Sequence, residues 1–174
     1  MTSHVIGIDI GLSGAMALLG QSGLMATADI PTMVKGAGTG KVKNEINPAA
    51  LNDILREWSN GHADDVLVAI EQVASMPGQG VGSVMSLGDS RGCIRGVVAA
   101  RGYATQWVVP QQWKKHFGLK APAEENKNKR QAMMKELARA KAIQLYPAAD
   151  LARKADHNRA EAILLARYAW ECLR

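Results

Sequence analysis

Three short apolar runs open the chain, each closed by turn residues. His4–Ile10 is rich in β-branched side chains, Gly14–Leu19 follows a tight Gly-Leu-Ser-Gly connection, and Leu24–Ile30 follows Gln-Ser-Gly. Strands joined by turns this short predict an antiparallel meander. Asn47-Pro48 then places an N-cap and a first-turn proline ahead of a helix running to about Asn60-Gly61, with Leu51, Ile54, Leu55 and Trp58 on one face. Val66–Ile70 is almost wholly apolar and predicts a strand covered on both faces, ending at Glu71. A helix over Ser83–Arg101, a fifth strand at Thr105–Val109 stopped by Pro110, and helices near Gln111–Phe117, Glu124–Leu145 and Asn158–Leu173 complete the pattern.

Five strands, three antiparallel and two reached through helical crossovers, predict an α/β fold with one mixed sheet flanked by helices. A length of 174 residues suits one such domain over 1–174. Pro31–Ile46, with its Lys35-Gly-Ala-Gly-Thr-Gly-Lys41 core, reads as a flexible loop. It is not a phosphate-binding loop, because Lys35 stands where that motif needs glycine and Val42 where it needs Ser or Thr. In the Ser83–Arg101 helix, Gly88, Gly92 and Gly96 recur every four residues. Each costs about 1 kcal/mol against alanine, so the stripe implies close approach of another backbone, either the sheet or a second subunit, with Val84, Met85 and Ile94 beside it.

Charge changes the picture. Residues 1–110 hold 7 Lys/Arg against 9 Asp/Glu, whereas residues 111–174 hold 14 against 7. A basic final third points to a polyanion such as nucleic acid, the alternative being a solvated helical face. Lys114, Lys115, Lys127, Lys129 and Arg130 are the candidate phosphate contacts. Cys93 and Cys172 stand far apart with no Cys-x-x-Cys pattern, which argues against a zinc module or a disulfide scaffold and for a reducing cytoplasm. No apolar run reaches the ~18 residues of a membrane span.

Four acids carry the candidate chemistry. Asp9 sits between Ile8 and Ile10 at the end of the first strand, where a carboxylate needs a reason to be. Glu71 closes the fourth strand, and carboxylates at neighbouring strand ends can converge on a hard cation. Asp156 and Glu161 flank the start of the apolar last helix. Were both helical, they would diverge by about 140°, so Asp156 must precede the helix to share a site with Glu161. His157 and Asn158 lie four and three residues before Glu161 and can share its face.

Gly7-Ile-Asp-Ile-Gly11, Ile70-Glu-Gln72 and Asp156-His-Asn-Arg-Ala-Glu-Ala162 together resemble the acidic blocks of the RuvC-type Holliday junction resolvases, and look closest to their phage and viral branch. Met76-Pro-Gly-Gln-Gly80, Leu87-Gly88 with Arg91-Gly92, and Val109-Pro-Gln-Gln-Trp-Lys114 extend the resemblance over nearly the whole chain. It implies an RNase H-like fold and an endonuclease that resolves four-way junctions by paired nicks in a bacterial or phage-infected cytoplasm. It implies a homodimer, and two Mg²⁺ (or Mn²⁺) per site on Asp9, Glu71, Asp156 and Glu161, with His157 as a further candidate.

Two departures stand out. The family's last two ligands lie three residues apart, which here gives Asn158 and Glu161, so Asp156 or His157 must supply the missing donor. Where cellular members carry an aromatic wedge, this chain has Ala74, Ser75 and Met76. A broader branched-DNA or flap nuclease and a catalytically impaired junction-binding protein are the competing readings. Gly7–Ser13 also looks like the first phosphate motif of sugar kinases and actin-like ATPases. Those need two such domains around a cleft, so no nucleotide cofactor is expected, and the short apolar runs make a membrane partner equally unexpected.

Overall fold

A computed structural model describes residues 2–36, 44–74, 78–123 and 126–174. The three opening strands are β1 (His4–Asp9), β2 (Ala15–Gly20) and β3 (Gly23–Asp29). β6 (Val66–Glu71) and β7 (Ala104–Val108) join them in one five-stranded sheet of order β3-β2-β1-β6-β7. β1, β2 and β3 pair antiparallel, while β1–β6 and β6–β7 are parallel, as the hydrophobic pattern predicts.

Two segments of the loop expected over 31–46 form strands. β4 (Thr32–Val34) and β5 (Asn44–Ile46) pair antiparallel as a separate two-stranded sheet. Lys35 Nζ stands 3.6 Å from Glu45 Oε2 within the ribbon and 3.5 Å from Asp89 Oδ2 outside it. The tip of the expected loop, 37–43, lies outside the described residues, as does the Ser75-Met76 part of the wedge position.

The helices are α1 (Pro48–Trp58), α2 (Val81–Ala100), α3 (Pro110–His116), α4 (Lys127–Leu145) and α5 (His157–Cys172). Asn47 caps α1 through its side-chain oxygen, which accepts from Ala50 N at 3.1 Å, with Pro48 in the first turn. Asn126 caps α4 in the same way, accepting from Asn128 N and Lys129 N.

Alternation along the central strands sorts side chains into two cores. Ile6, Ile8, Val68 and Ile70 pack with Leu51 and Leu55 of α1 and Ile94 and Val98 of α2. Val5, Leu67 and Ala69 face the other way, onto α5, α4 and Trp113. By the same parity Asp9 and Glu71 point to the α5 side. α5 is buried nearly all round, through Ala160, Ala162, Ile163, Leu164, Leu165, Ala166 and Ala169, because it lies between the sheet and α4.

Gly7 sets how close α5 comes. A Cβ at this position would run into the Ala162 carbonyl oxygen and lie 2.6 Å from the Ala166 nitrogen. These are backbone atoms in a packed layer and cannot give way cheaply. Gly7→Ala should therefore destabilise the fold by about 1–3 kcal/mol, the usual range for overpacking. Chemical denaturation of the two proteins measures it, and equal midpoints would refute the close contact.

Candidate active site

Asp9 and Glu71 reach the same place because the strands that carry them run parallel. Ile8 pairs with Ile70, and each acid follows one residue later at its strand's carboxyl end. Glu161, in the first turns of α5, completes the group. Asp9 is buried to 9% exposure and Glu71 to 7%. The Asp9 carboxyl is pushed well above the usual carboxylate range by desolvation, and further by the charges of Glu161 and Glu71. Glu71 is raised for the same reasons, burial first and then Glu161. Three acids thus repel one another here, two of them buried and Glu161 at the edge.

Two neighbours on α3 offset them. Trp113 is fully buried, and its Nε1 donates to Glu71 Oε1 at 3.0 Å. Lys114, the next residue, places Nζ 3.6 Å from Glu161 Oε1. The positive charges of Lys135 and Lys114 act on Asp9 in the opposite sense to burial, favouring its ionised form. Trp113 falls within the Val109–Lys114 motif, but nothing in that motif shows that its indole would clamp an acid. A tryptophan between polar residues on a short helix is the trace it leaves.

The structure does not bring Asp156 into this group. Asp156 precedes α5, as required, in a single turn of 3-10 helix over Lys154–Asp156. Its carboxylate is turned back onto Arg153. Oδ2 accepts from the Arg153 backbone N at 2.8 Å, and Oδ1 accepts from Arg153 Nε and Nη2 at 3.0 and 2.7 Å. These bonds hold its carboxyl below the usual range. His157 is engaged as well: Lys135 Nζ donates to its Nε2 at 2.8 Å, so its Nδ1 carries the proton and donates to the Lys154 carbonyl. Asn158 donates to the Ser13 carbonyl, tying α5 to the β1–β2 loop. Among the described residues, no group of three or more His, Cys, Asp or Glu side chains is gathered closely enough to hold one metal ion in common.

Beside Glu161 opens a cleft of about 870 Å³ whose wall carries Lys114, Lys115, Lys120, Lys127, Arg130 and Lys135. Residues 127, 130, 131, 134 and 135 line it from one face of α4, at the i, i+3, i+4 spacing of a helix. Lys129 lies off that face, so four of the five expected basic residues share the cleft. Lys120 and Lys135 belong there too, and the 3.6-residue period from Lys127 was the signal that could have found Lys135.

No family model matches the chain, and no curated protein matches it. Among solved structures it is similar to Thermus thermophilus RuvC, at 17% identity and a TM-score of 0.51 over 97% of this chain and 96% of that one. It is equally similar to T. thermophilus RuvC in complex with a Holliday junction substrate, at 16% identity, a TM-score of 0.51 and the same coverage. The likeness establishes an RNase H-like fold.

The environments of Asp9 and Asp156 predict opposite mutational signs. A carboxyl whose folded pKa is raised binds its proton more tightly folded than unfolded, so it opposes folding increasingly as pH rises above 3.8 toward the raised value. Asp156, with a lowered pKa, contributes stability that is complete above 3.8 and is lost as pH falls through its folded value. At pH 7 Asp9→Asn should raise Tm, by about 2–4 °C for each kcal/mol relieved, while Asp156→Asn lowers it. Scanning calorimetry at pH 7 and pH 3 checks both, with each difference shrinking at pH 3. Shifts of the same sign would refute this electrostatic assignment.

Proposed function

We propose that this protein is a metal-dependent endonuclease acting on branched DNA, with the four-way Holliday junction as substrate and paired nicks as product. The observation that carries this reading is the basic cleft, which runs to Glu161 and so to the acids around Asp9 and Glu71. A row of cations along one helix face suits a phosphate backbone, and the dry carboxylates at its end suit hydrolysis of that backbone. A structural relative solved in complex with a Holliday junction substrate supports the same direction.

The donor chemistry fits a hard divalent cation, since mutually repelling carboxylate oxygens favour one. Asp9, Glu71 and Glu161 are the residues that would hold Mg²⁺ or Mn²⁺, although they do not stand close enough together here to share one ion, and Asp156, the fourth ligand expected, is bonded to Arg153 instead. A cation held there would supply activation of a water and compensation of the charge that develops on the phosphate. The chain's own residues orient and balance: Trp113 fixes one oxygen of Glu71, and Lys114 neutralises Glu161 at the cleft mouth.

Synthetic four-way, flap and linear duplex DNA, each with Mg²⁺ and with EDTA, test the reading. Cleavage should require Mg²⁺ and favour the junction. Asp9→Asn should abolish cleavage and leave binding intact or tighter, because it removes a ligand and a charge that repels phosphate. Lys127→Ala and Arg130→Ala should each lower the salt slope of binding by about 0.9. Preference for flaps would point to the broader nuclease. Binding without cleavage at any metal concentration would leave a junction-binding protein, the reading that the engaged Asp156 favours.

A junction is two-fold symmetric, so two matched nicks call for an isologous dimer. The glycine stripe of α2 offers its surface. A Cβ added at Gly88, Gly92 or Gly96 meets open space, so the sheet is not the backbone they admit. Val84 and Met85 are exposed beside the stripe, whereas Ile94 is fully buried in the opposite face and adds nothing to it. Sedimentation should show a dimer at micromolar concentration and a monomer for Gly92→Leu. A folded, dimeric variant would move the interface elsewhere.

A further inference from the structure

The end of α3 is tied to the end of α5 by side chains outside the acid group. His116 Nε2 stands 2.6 Å from Glu171 Oε2, and Arg167 Nε donates to Glu171 Oε1 at 2.6 Å. The other imidazole nitrogen of His116 faces Cys172 Sγ at 3.8 Å. Phe117 and Tyr168 meet its ring edge-on, with centroids 4.8 and 5.4 Å away. Both nitrogens and the ring itself are engaged, although 32% of the side chain faces solvent.

We propose that His116 and Glu171 form a latch that positions α3, which makes His116 a positioning residue for the reaction inferred above, on which this proposal rests. α3 has seven residues, too few to hold its place by helical propensity alone. Buried Trp113 seats it on the core, and what its ends grip sets how it lies there. At the start, a single residue, Val109, joins β7 to Pro110, and Gln112 Oε1 accepts from Val109 N at 3.2 Å. At the finish, the grip is His116 on the last turn of α5. Between the two grips stand Trp113, which holds Glu71, and Lys114, which holds Glu161. α5 carries both Glu171 and Glu161, so the latch fixes α3 against the helix that supplies one of the acids. Releasing it lets the indole and the ammonium drift from the carboxylates, and a displacement of about 1 Å at a reacting group can cost on the order of a hundredfold in rate. His116 does not line the basic cleft, so DNA affinity should not follow.

The test uses the full chain with a synthetic four-way junction and Mg²⁺, reading single-turnover rate, junction Kd and the indole N–H resonance of Trp113, assigned with Trp113→Phe. His116→Ala should lower the rate by roughly tenfold to a hundredfold, leave Kd unchanged and shift the Trp113 resonance. His116→Gln places an amide nitrogen where Nε2 stands and should restore rate and resonance, whereas His116→Asn, which mimics the other nitrogen, should not. Wild-type rate with an unmoved resonance in His116→Ala overturns the latch, as does equal rescue by Gln and Asn. Should His116→Ala not fold, Glu171→Gln, which keeps shape and removes charge, must slow cleavage and shift the same resonance, or the latch fails. A wild-type chain that cuts no branched DNA overturns the nuclease reading instead, and the resonance still decides whether His116 holds Trp113 in place.

Discussion

The contact of Gly7 with the backbone of α5 is the constraint on which the site depends. With no side chain between them, the helix settles directly on β1 at Ala162 and Ala166. Glu161 precedes the first of those contacts by one residue, and Asp9 follows Gly7 by two. The distance between two repelling carboxylates is therefore set by a steric contact in the core rather than by the carboxylates themselves. Left to their own electrostatics, the acids would separate. The packing of α5, buried on nearly every side, does not let them.

Holding them costs stability, and the molecule offsets that locally. Burial and like charge raise the Asp9 and Glu71 carboxyls, and the cations of Lys114 and Lys135 together with the Trp113 N–H oppose the shift. Buried groups with shifted pKa values gather where chemistry is done more often than where it is not. The same lysines line the cleft, so the charge that steadies the acids is continuous with the charge that would receive a phosphate backbone. His116 and Glu171 join this balance from outside by fixing the short helix that carries Trp113 and Lys114.

The sheet was legible because its signals are local and periodic. Short turns, β-branched runs and apolar strands identified the five strands and their order of connection, and placed Asp9 and Glu71 at strand ends that could converge. The last acidic block was less legible. Asp156 and Glu161 look alike in sequence, but a guanidinium three residues upstream takes up the first and leaves the second to the site. The arms of the 31–46 segment were also hidden, since strands of three residues carry too little pattern to be seen. The glycine stripe was legible as a pattern, but not that it faces away from the sheet.

What the sequence determined by itself was the α/β layering, the faces of the strands and the basic character of the final third, because each follows from spacing and composition over neighbouring residues. What only the tertiary structure decided was which charges meet. Glu71 and Trp113, Glu161 and Lys114, and His116 and Glu171 are separated by 42, 47 and 55 positions along the chain. No local pattern links them. They are brought together by the parallel pairing of β6 with β7, which leads into α3, and by the seating of α5 on Gly7, since electrostatic and hydrogen-bonding energies depend on distance in space and not on distance along the chain.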